Sequence, residues 1–349
     1  MTIDPFWVVA AAAGGFFGAA LGALQSFVFC GVSVLLGAAG LFGNASASFI
    51  SFVAFGPIFG PHISFASGVA AAAYAHRRGL LGSGRDIVTP LIGLKRPEVL
   101  LLGAVFGVVG YLIHAVVVAV PWFGTHTDAV AVTVVVSAIV VRFAFGRTGL
   151  VGRPTRALAH AGTAGSPPEG TRYVSSGDPI LEGPPVDPDE PERTSGSLAA
   201  RFAPDEEHHW IRYQEGFFAN SVLGLFAGGL SAAAALTIAE QYPTVGSLAA
   251  TVGFGFSAVS LLFLSLGMAV PVTHHMTLIA GVAALSFLPL VGGNTMAAMV
   301  IGAAFGMVAA WGAEFFSRFW QIRGDSHIDP PASSIWLMTT VVVGLAALL

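Results

Sequence analysis

Charge is what this chain has least of. Only 10% of its 349 residues are Asp, Glu, Lys or Arg, against 55% hydrophobic, whereas a soluble domain carries about a quarter of its residues as charges. The shortage is uneven: 18 of the 34 charged residues lie between Arg147 and Glu215, leaving 16 for the rest of the chain. The formal net charge is −4 and no basic stripe marks a nucleic-acid partner. Cysteine is nearly absent. A lone Cys30 excludes an intrachain disulfide and a multi-cysteine metal site, and in its apolar run it reads as a small buried hydrophobe. Catalytic signatures are missing as well. There is no G-x-x-x-x-G-K-[ST], H-E-x-x-H or G-x-S-x-G, so nothing speaks for nucleotide hydrolysis. The opening "MTIDPFWVVAAAAGG" lacks the basic region of a signal peptide, so the first apolar run reads as a retained span with Trp7 at the interface.

What is present is a series of apolar runs, at about 6–38, 44–77, 98–120, 128–146, 215–240, 246–270, 273–290, 294–317 and 332–349. Most have the length that a hydrocarbon core about 30 Å thick demands of a helix. The fold class is therefore an all-α polytopic membrane protein. As one helix, the run 44–77 would be about 50 Å long at a rise of 1.5 Å per residue, too long for one crossing. Gly56, Pro57, Gly60 and Pro61 break it, which predicts two short helices meeting at His62. Residues 147–214 are rich in Pro, Gly, Ser and acidic side chains, cannot bury enough apolar area to fold alone, and read as a flexible linker.

The runs after the linker repeat those before it. "PHISFASGVAAAA" (61–73) matches "HHMTLIAGVAALS" (274–286), each with a histidine six positions before Gly-Val-Ala-Ala. "VLLLGAVFGVVGY" (99–111) matches "AMVIGAAFGMVAA" (298–310), "HTDAVAV" (126–132) matches "HIDPPAS" (327–333), and "GGFFGAALG" near the start resembles "EGFFANSVLG" from 215. The organisation expected is a first membrane repeat at 1–146, a linker at 147–214 and a second membrane repeat at 215–349. Basic residues set the orientation, because cytoplasmic loops carry the excess of Lys and Arg. Arg77, Arg78, Arg85, Lys95 and Arg96 crowd one loop, Arg142, Arg147, Arg153 and Arg156 flank the linker start, and Arg318 and Arg323 mark the matching side later. This places "GTHTD" outside and "DSHID" inside, with the N-terminus and C-terminus outside and the linker cytoplasmic. The two copies are then upside down relative to each other: inverted-topology repeats of about five plus five helices, or three plus three with re-entrant broken helices.

Inverted repeats place broken helices around a midplane site, and non-helical backbone at that depth is tolerated only where protein buries it or water lines it. His62 and His275, with neighbouring His274, are the leading candidates for a substrate or ion pathway, since imidazole can donate, accept, take a proton or bind a transition metal. The plain alternative is that each ring ties off backbone groups at its break. His126 with Asp128, and His327 with Asp329, are the further pair. Each aspartate stands just before an apolar helix as an N-cap, Asp329 with prolines after it; the functional reading has them guard opposite mouths. Glu314 is expected to pair with Arg318 along a helix, and Gly103, Gly107, Gly302 and Gly306 to allow close helix packing.

These features favour a channel or secondary transporter for a small solute or cation, in a plasma membrane, with the bilayer and that solute as its partners and a homo-oligomer compatible with it. The outline is similar to that of urea and ammonium channels and several ion-coupled transporters, a likeness of architecture that carries no residue across. An intramembrane metal-dependent enzyme, with zinc held by His62, His274, His275 and an aspartate, is the second reading. An accessory subunit of a larger membrane complex is the third. No cofactor is required by the leading one.

Overall fold

Aspartate, asparagine and proline set where many of the helices begin. Asp4, Asp128, Asn294 and Asp329 each accept a hydrogen bond from a backbone amide of the first turn, and Pro5, Pro97 and Pro330 stand at first helical positions, where a missing N–H costs nothing. The computed structural model describes residues 3–42, 48–152, 204 and 208–349, and among these no strand occurs. The main helices are α1 (Pro5–Leu21), α2 (Ala23–Phe42), α3 (Ser64–Arg77), α4 (Pro97–Ala119) and α5 (Ala129–Phe145), then α6 (Phe217–Gln241), α7 (Thr251–Ser265), α8 (His274–Phe287), α9 (Thr295–Phe316) and α10 (Pro330–Leu348). Six helical stretches are long and apolar enough to cross a membrane; α1, α5 and α8 are shorter but equally apolar. Their outward faces are apolar too, with Phe218, Phe226 and Leu230 of α6 at least 75% exposed. Such faces need lipid as solvent, and the chain is a polytopic helical membrane protein.

The first apolar run is two helices, divided at Gly22, whose φ of 94° closes α1 and lets α2 leave at a new angle. The run after it is broken as expected. A π-helical turn at Ile50–Ala54 lies against α2, where the Cys30 thiol donates to the Ala54 carbonyl at 3.1 Å. The carbonyls of Pro57 and His62 then press on Gly14 of α1 and Gly110 of α4, where a Cβ would collide with them. Gly110 is near the middle of its 23-residue helix, so α3 starts halfway along α4. The second half does the same: the non-helical residues 268–273 lead into α8, and the Met276 carbonyl lies against Gly306 in the middle of α9.

Neighbour relations correspond across the chain. Helices α1, α3 and α4 pack on one another, α5 joins α3 and α4, and α2 joins α3; α6, α8 and α9 pack on one another, α10 joins α8 and α9, and α7 joins α8. Helices α1 and α4 run antiparallel with Gly15 against Gly103 and Gly107, as α6 and α9 do with Gly228 and Gly224 against Gly306. The packing glycine of α6 that matches Gly15 is therefore Gly228. The "GGFF"/"EGFF" likeness read from the sequence is out of register with the packing, because it aligned phenylalanines that occupy different turns. Between the halves, α2 lies on α7 and α5 on α10.

One end of the molecule gathers the arginines. Arg85, from the loop after α3, donates to the carbonyls of Gln321 and Ile322 at 3.2 and 3.1 Å. The buried guanidinium of Arg142, at the end of α5, donates to the Ser326 hydroxyl at 2.7 Å and to the carbonyls of Ser326 and Trp320 at 2.6 and 3.1 Å. Asp325 answers from the same loop, accepting from the Thr148 hydroxyl at 2.8 Å. Helix α1 reaches this end by its C-terminus, where the Leu24 amide donates to the Ile87 carbonyl. Helix α6 leaves it by its N-terminus, where the Gly216 amide donates to Glu314. Glu314 pairs with Arg318 as the spacing predicted.

Much of the stretch read as a linker, 153–203 and 205–207, lies outside the described residues. Its two flanks are built into the fold. Thr148 joins Asp325, and residues 208–216 form a strap tied to the segment before α8: Gln214 exchanges two hydrogen bonds with the Val272 backbone, at 2.7 and 2.9 Å, and the Tyr213 hydroxyl donates to the Val270 carbonyl. Burial pushes the Glu215 carboxyl above its usual range there, and pulls the Arg85 guanidinium below its own while Asp325 counters.

Candidate functional site

A cavity of about 90 Å³ lies where the halves meet, room for a few waters or one small solute. Its walls are aromatic. Phe27 of α2 and Phe254 of α7 touch edge to face across the interface at 5.6 Å, and Phe65 of α3 stands 5.9 Å from Phe27. Its polar groups are few: Asp128 before α5, Asp329 before α10, His274 at the start of α8, and Gln321 and His327 from the arginine-held loop. Trp210 and Ile211 of the strap close the wall at the arginine end.

Asp128 and Asp329 sit at different depths. The Thr127 hydroxyl donates to the Trp336 carbonyl of α10 at 3.3 Å, and Trp336 is seven residues past Asp329. That separates the two carboxylates by on the order of 10 Å along the axis, at 1.5 Å per residue. Both carboxylates line the one cavity.

Their partners differ. Asp329 has both oxygens engaged, one by His327 Nε2 at 3.1 Å and one by the Ala332 amide at 2.7 Å. Gln321 accepts from the Ile328 amide through Oε1, so its amide nitrogen faces His327 Nδ1, 2.8 Å away. That fixes His327 with its proton on Nε2, donating to Asp329. Asp128 receives the Ala131 amide of its own first turn at 2.8 Å, and among the described residues no cationic side chain pairs with it.

The histidines divide in a way the sequence did not disclose. His274 lies on the cavity wall, 4.8 Å from the Phe27 ring, buried, with Nδ1 lacking any partner. His62 and His275 lead their half-helices but stand behind that wall, where Pro61 and His274 take the lining positions. His62 stacks on His114 of α4 at 4.5 Å. His275 is fully buried beside His274, with neither ring nitrogen bonded. Rings that only tied off backbone groups at the breaks would not leave these atoms open, and an unmet buried polar atom costs about 1–3 kcal/mol. His126 is off the cavity, stacked on Trp122 at 4.6 Å with Nδ1 bonded to the Trp122 carbonyl.

Sequence reasoning passed over Gln321 and Trp210, and used Arg85 and Arg142 only as markers of orientation. The signal available was a lone arginine, Arg142, inside an otherwise uncharged apolar run, which in a membrane protein must find several acceptors. As to metal, among the described residues no three His, Cys, Asp or Glu side chains converge as a ligand set.

Over residues 1–349 the chain matches the model of a family of unknown function, DUF7973. No curated protein and no solved structure matches it.

Proposed function

The chain belongs to the DUF7973 family, and for it we propose a channel or secondary transporter that moves a small solute or cation through the cavity between two inverted repeats. The observation that carries this reading is an aromatic-walled internal cavity holding two carboxylates and two histidines at the junction of the halves. Ionisable side chains inside a membrane protein are costly and mark pathways by default.

The duplication is supported by the matching neighbour relations, by the packing pairs Gly15–Gly107 and Gly228–Gly306, and by the close approach of Gly18 to the Ser64 carbonyl where Ser231 donates to the Thr277 carbonyl. Inversion is supported by direction, since α1 enters the arginine-rich end and α6 leaves it. On this reading each half crosses five times, its third crossing broken at His62 or His275. The arginine-rich end faces the cytoplasm of a plasma membrane, both chain termini lie outside, and the linker is cytoplasmic. The zinc-enzyme reading has no ligand set among the described residues to favour it over this one.

The test is flux through purified protein in liposomes, offering methylammonium, urea, potassium and zinc in turn at two pH values, against protein-free vesicles. Selective flux that falls at least tenfold in Asp329→Ala supports the reading. No flux for any of the four sinks it, and moves the weight to an accessory subunit.

A further inference from the structure

Resting on that transport reading, we propose that the cavity exchanges a monovalent cation for a proton, with the Asp128 carboxylate as the group that holds either one. Three features of the wall point the same way.

First, its polar groups are acceptors or amphoteric: Asp128, Asp329, His274, His327 and Gln321, with no Lys or Arg among the lining residues. The nearest cations, Arg85 and Arg142, spend their N–H groups on main-chain carbonyls and the Ser326 hydroxyl. An anionic solute would meet only repulsion there.

Second, the two carboxylates are unequal. Asp329 is supplied by His327 and Ala332, while Asp128 has backbone donors of its own first turn and no counter-charge. Asp128 is half-buried, and a carboxylate on an apolar wall with no counter-charge is stabilised by a proton or a cation. A neutral solute would leave that need unmet.

Third, His274 lines the same cavity, and its buried Nδ1 has no partner. It supplies a relay for the departing proton along the cavity wall. Zinc takes three or four protein ligands and calcium six to eight oxygens. Here Asp329 is both distant and engaged, so one carboxylate and a few waters suit a singly charged ion.

The exchange balances atom by atom. A cation leaves Asp128 as an O–H bond forms with a proton from water on one side. On the other side the O–H bond breaks, the proton passes to water, and a new cation takes the carboxylate. One positive charge moves each way per cycle. The ionisable groups that share the cavity wall with Asp128 are Asp329, His274 and His327, with His62 leading α3, His114 on α4 and His126 in the turn before α5 beyond it; α10 contributes only Asp329, and Arg142 lies at the far end of α5, about 20 Å from Asp128 at 1.5 Å per residue.

The experiment uses the full chain in liposomes loaded with a pH-sensitive dye. A pH step is imposed, and sodium, potassium or methylammonium is added outside, with urea as the neutral comparison. The expected result is saturable proton movement driven by at least one cation and indifferent to an imposed membrane potential. Asp128→Asn should reduce it at least tenfold while leaving thermal stability unchanged, because asparagine caps a helix as well as aspartate. Cation flux without proton counterflow, or normal exchange by Asp128→Asn, overturns the proposal. Urea flux with no response to any cation overturns it and leaves the transport reading standing. No flux of any kind overturns both.

Discussion

His126-Thr127-Asp128 and His327-Ile328-Asp329 are the same motif in two surroundings. Both aspartates cap a helix through the amide three residues on, at 2.8 and 2.7 Å. Beyond the cap they part. His327 is 2% exposed and locked between Gln321 and Asp329, in a loop clamped by Arg85 and Arg142 from the other half. His126 bonds to its own turn, Trp122 and Thr125, and never meets Asp128. A short motif determines what its backbone does within one helical turn. Which ring reaches a neighbour depends on what the rest of the chain packs beside it.

Breaking the clamp should have the largest effect. Arg142→Ala strands the Ser326 and Trp320 carbonyls in a buried site, and removing one partner of a buried charged network costs about 3–5 kcal/mol. The variant should lose its monodisperse peak on size exclusion, or melt far below wild type in a detergent thermal-shift assay; a normal melting temperature would mean that the loop does not depend on the other half.

Next come the two aspartates. Asp128→Ala removes a cap, worth about 0.5–2 kcal/mol. Asp329→Ala removes a cap and the acceptor of His327, and should cost about 1 kcal/mol more, the worth of one further hydrogen bond. Denaturant titration of both, with Asn at each site as the cap-preserving control, measures the difference. Equal losses would show that the His327 contact carries no energy.

The histidines sharpen the same contrast. His327→Ala should destabilise by about 1–3 kcal/mol because Gln321 is left buried with an unmet donor, whereas His126→Ala, at the surface, should stay within about 0.5 kcal/mol. The smallest effect is on access. Trp210→Ala opens the strap's end of the cavity without touching a polar contact, so a cysteine introduced by Ala332→Cys should react faster with a thiol reagent applied from the arginine-rich side. An unchanged rate would mean that the strap does not cover the cavity. Native Cys30 is fully buried and provides little background.

Much of the fold was legible because its signals are local. Apolar run length marked the spans, Gly56 to Pro61 marked a break, and Asp and Pro marked helix starts. The division at Gly22 was harder to see, since one glycine in a long apolar run does not declare its positive φ. The likeness of Gly15 to Gly216 does not carry into the packing for a related reason: repeated Phe and Gly align in more than one way, and it is Gly228, not Gly216, that packs on Gly306 as Gly15 packs on Gly107. The candidate site was legible as a set of residues but not as an arrangement. His274 and His275 are successive on one helix, so about 100° of rotation separates them, and the rotation of α8 decides which faces the cavity.

By itself, the sequence determined that this protein is helical, lies in a membrane, breaks two of its helices at histidines, and caps two others with aspartate. Those properties follow from hydrophobic length and from backbone donors within a turn of the residue concerned. Only the tertiary structure decided that Asp128, Asp329, His274 and His327 share one cavity, that His62 and His275 stand behind its wall, and that Arg142 reaches into the opposite half. Such meetings depend on helix rotation and on packing between residues as far as 237 positions apart, as Arg85 and Ile322 are, and no local pattern encodes them.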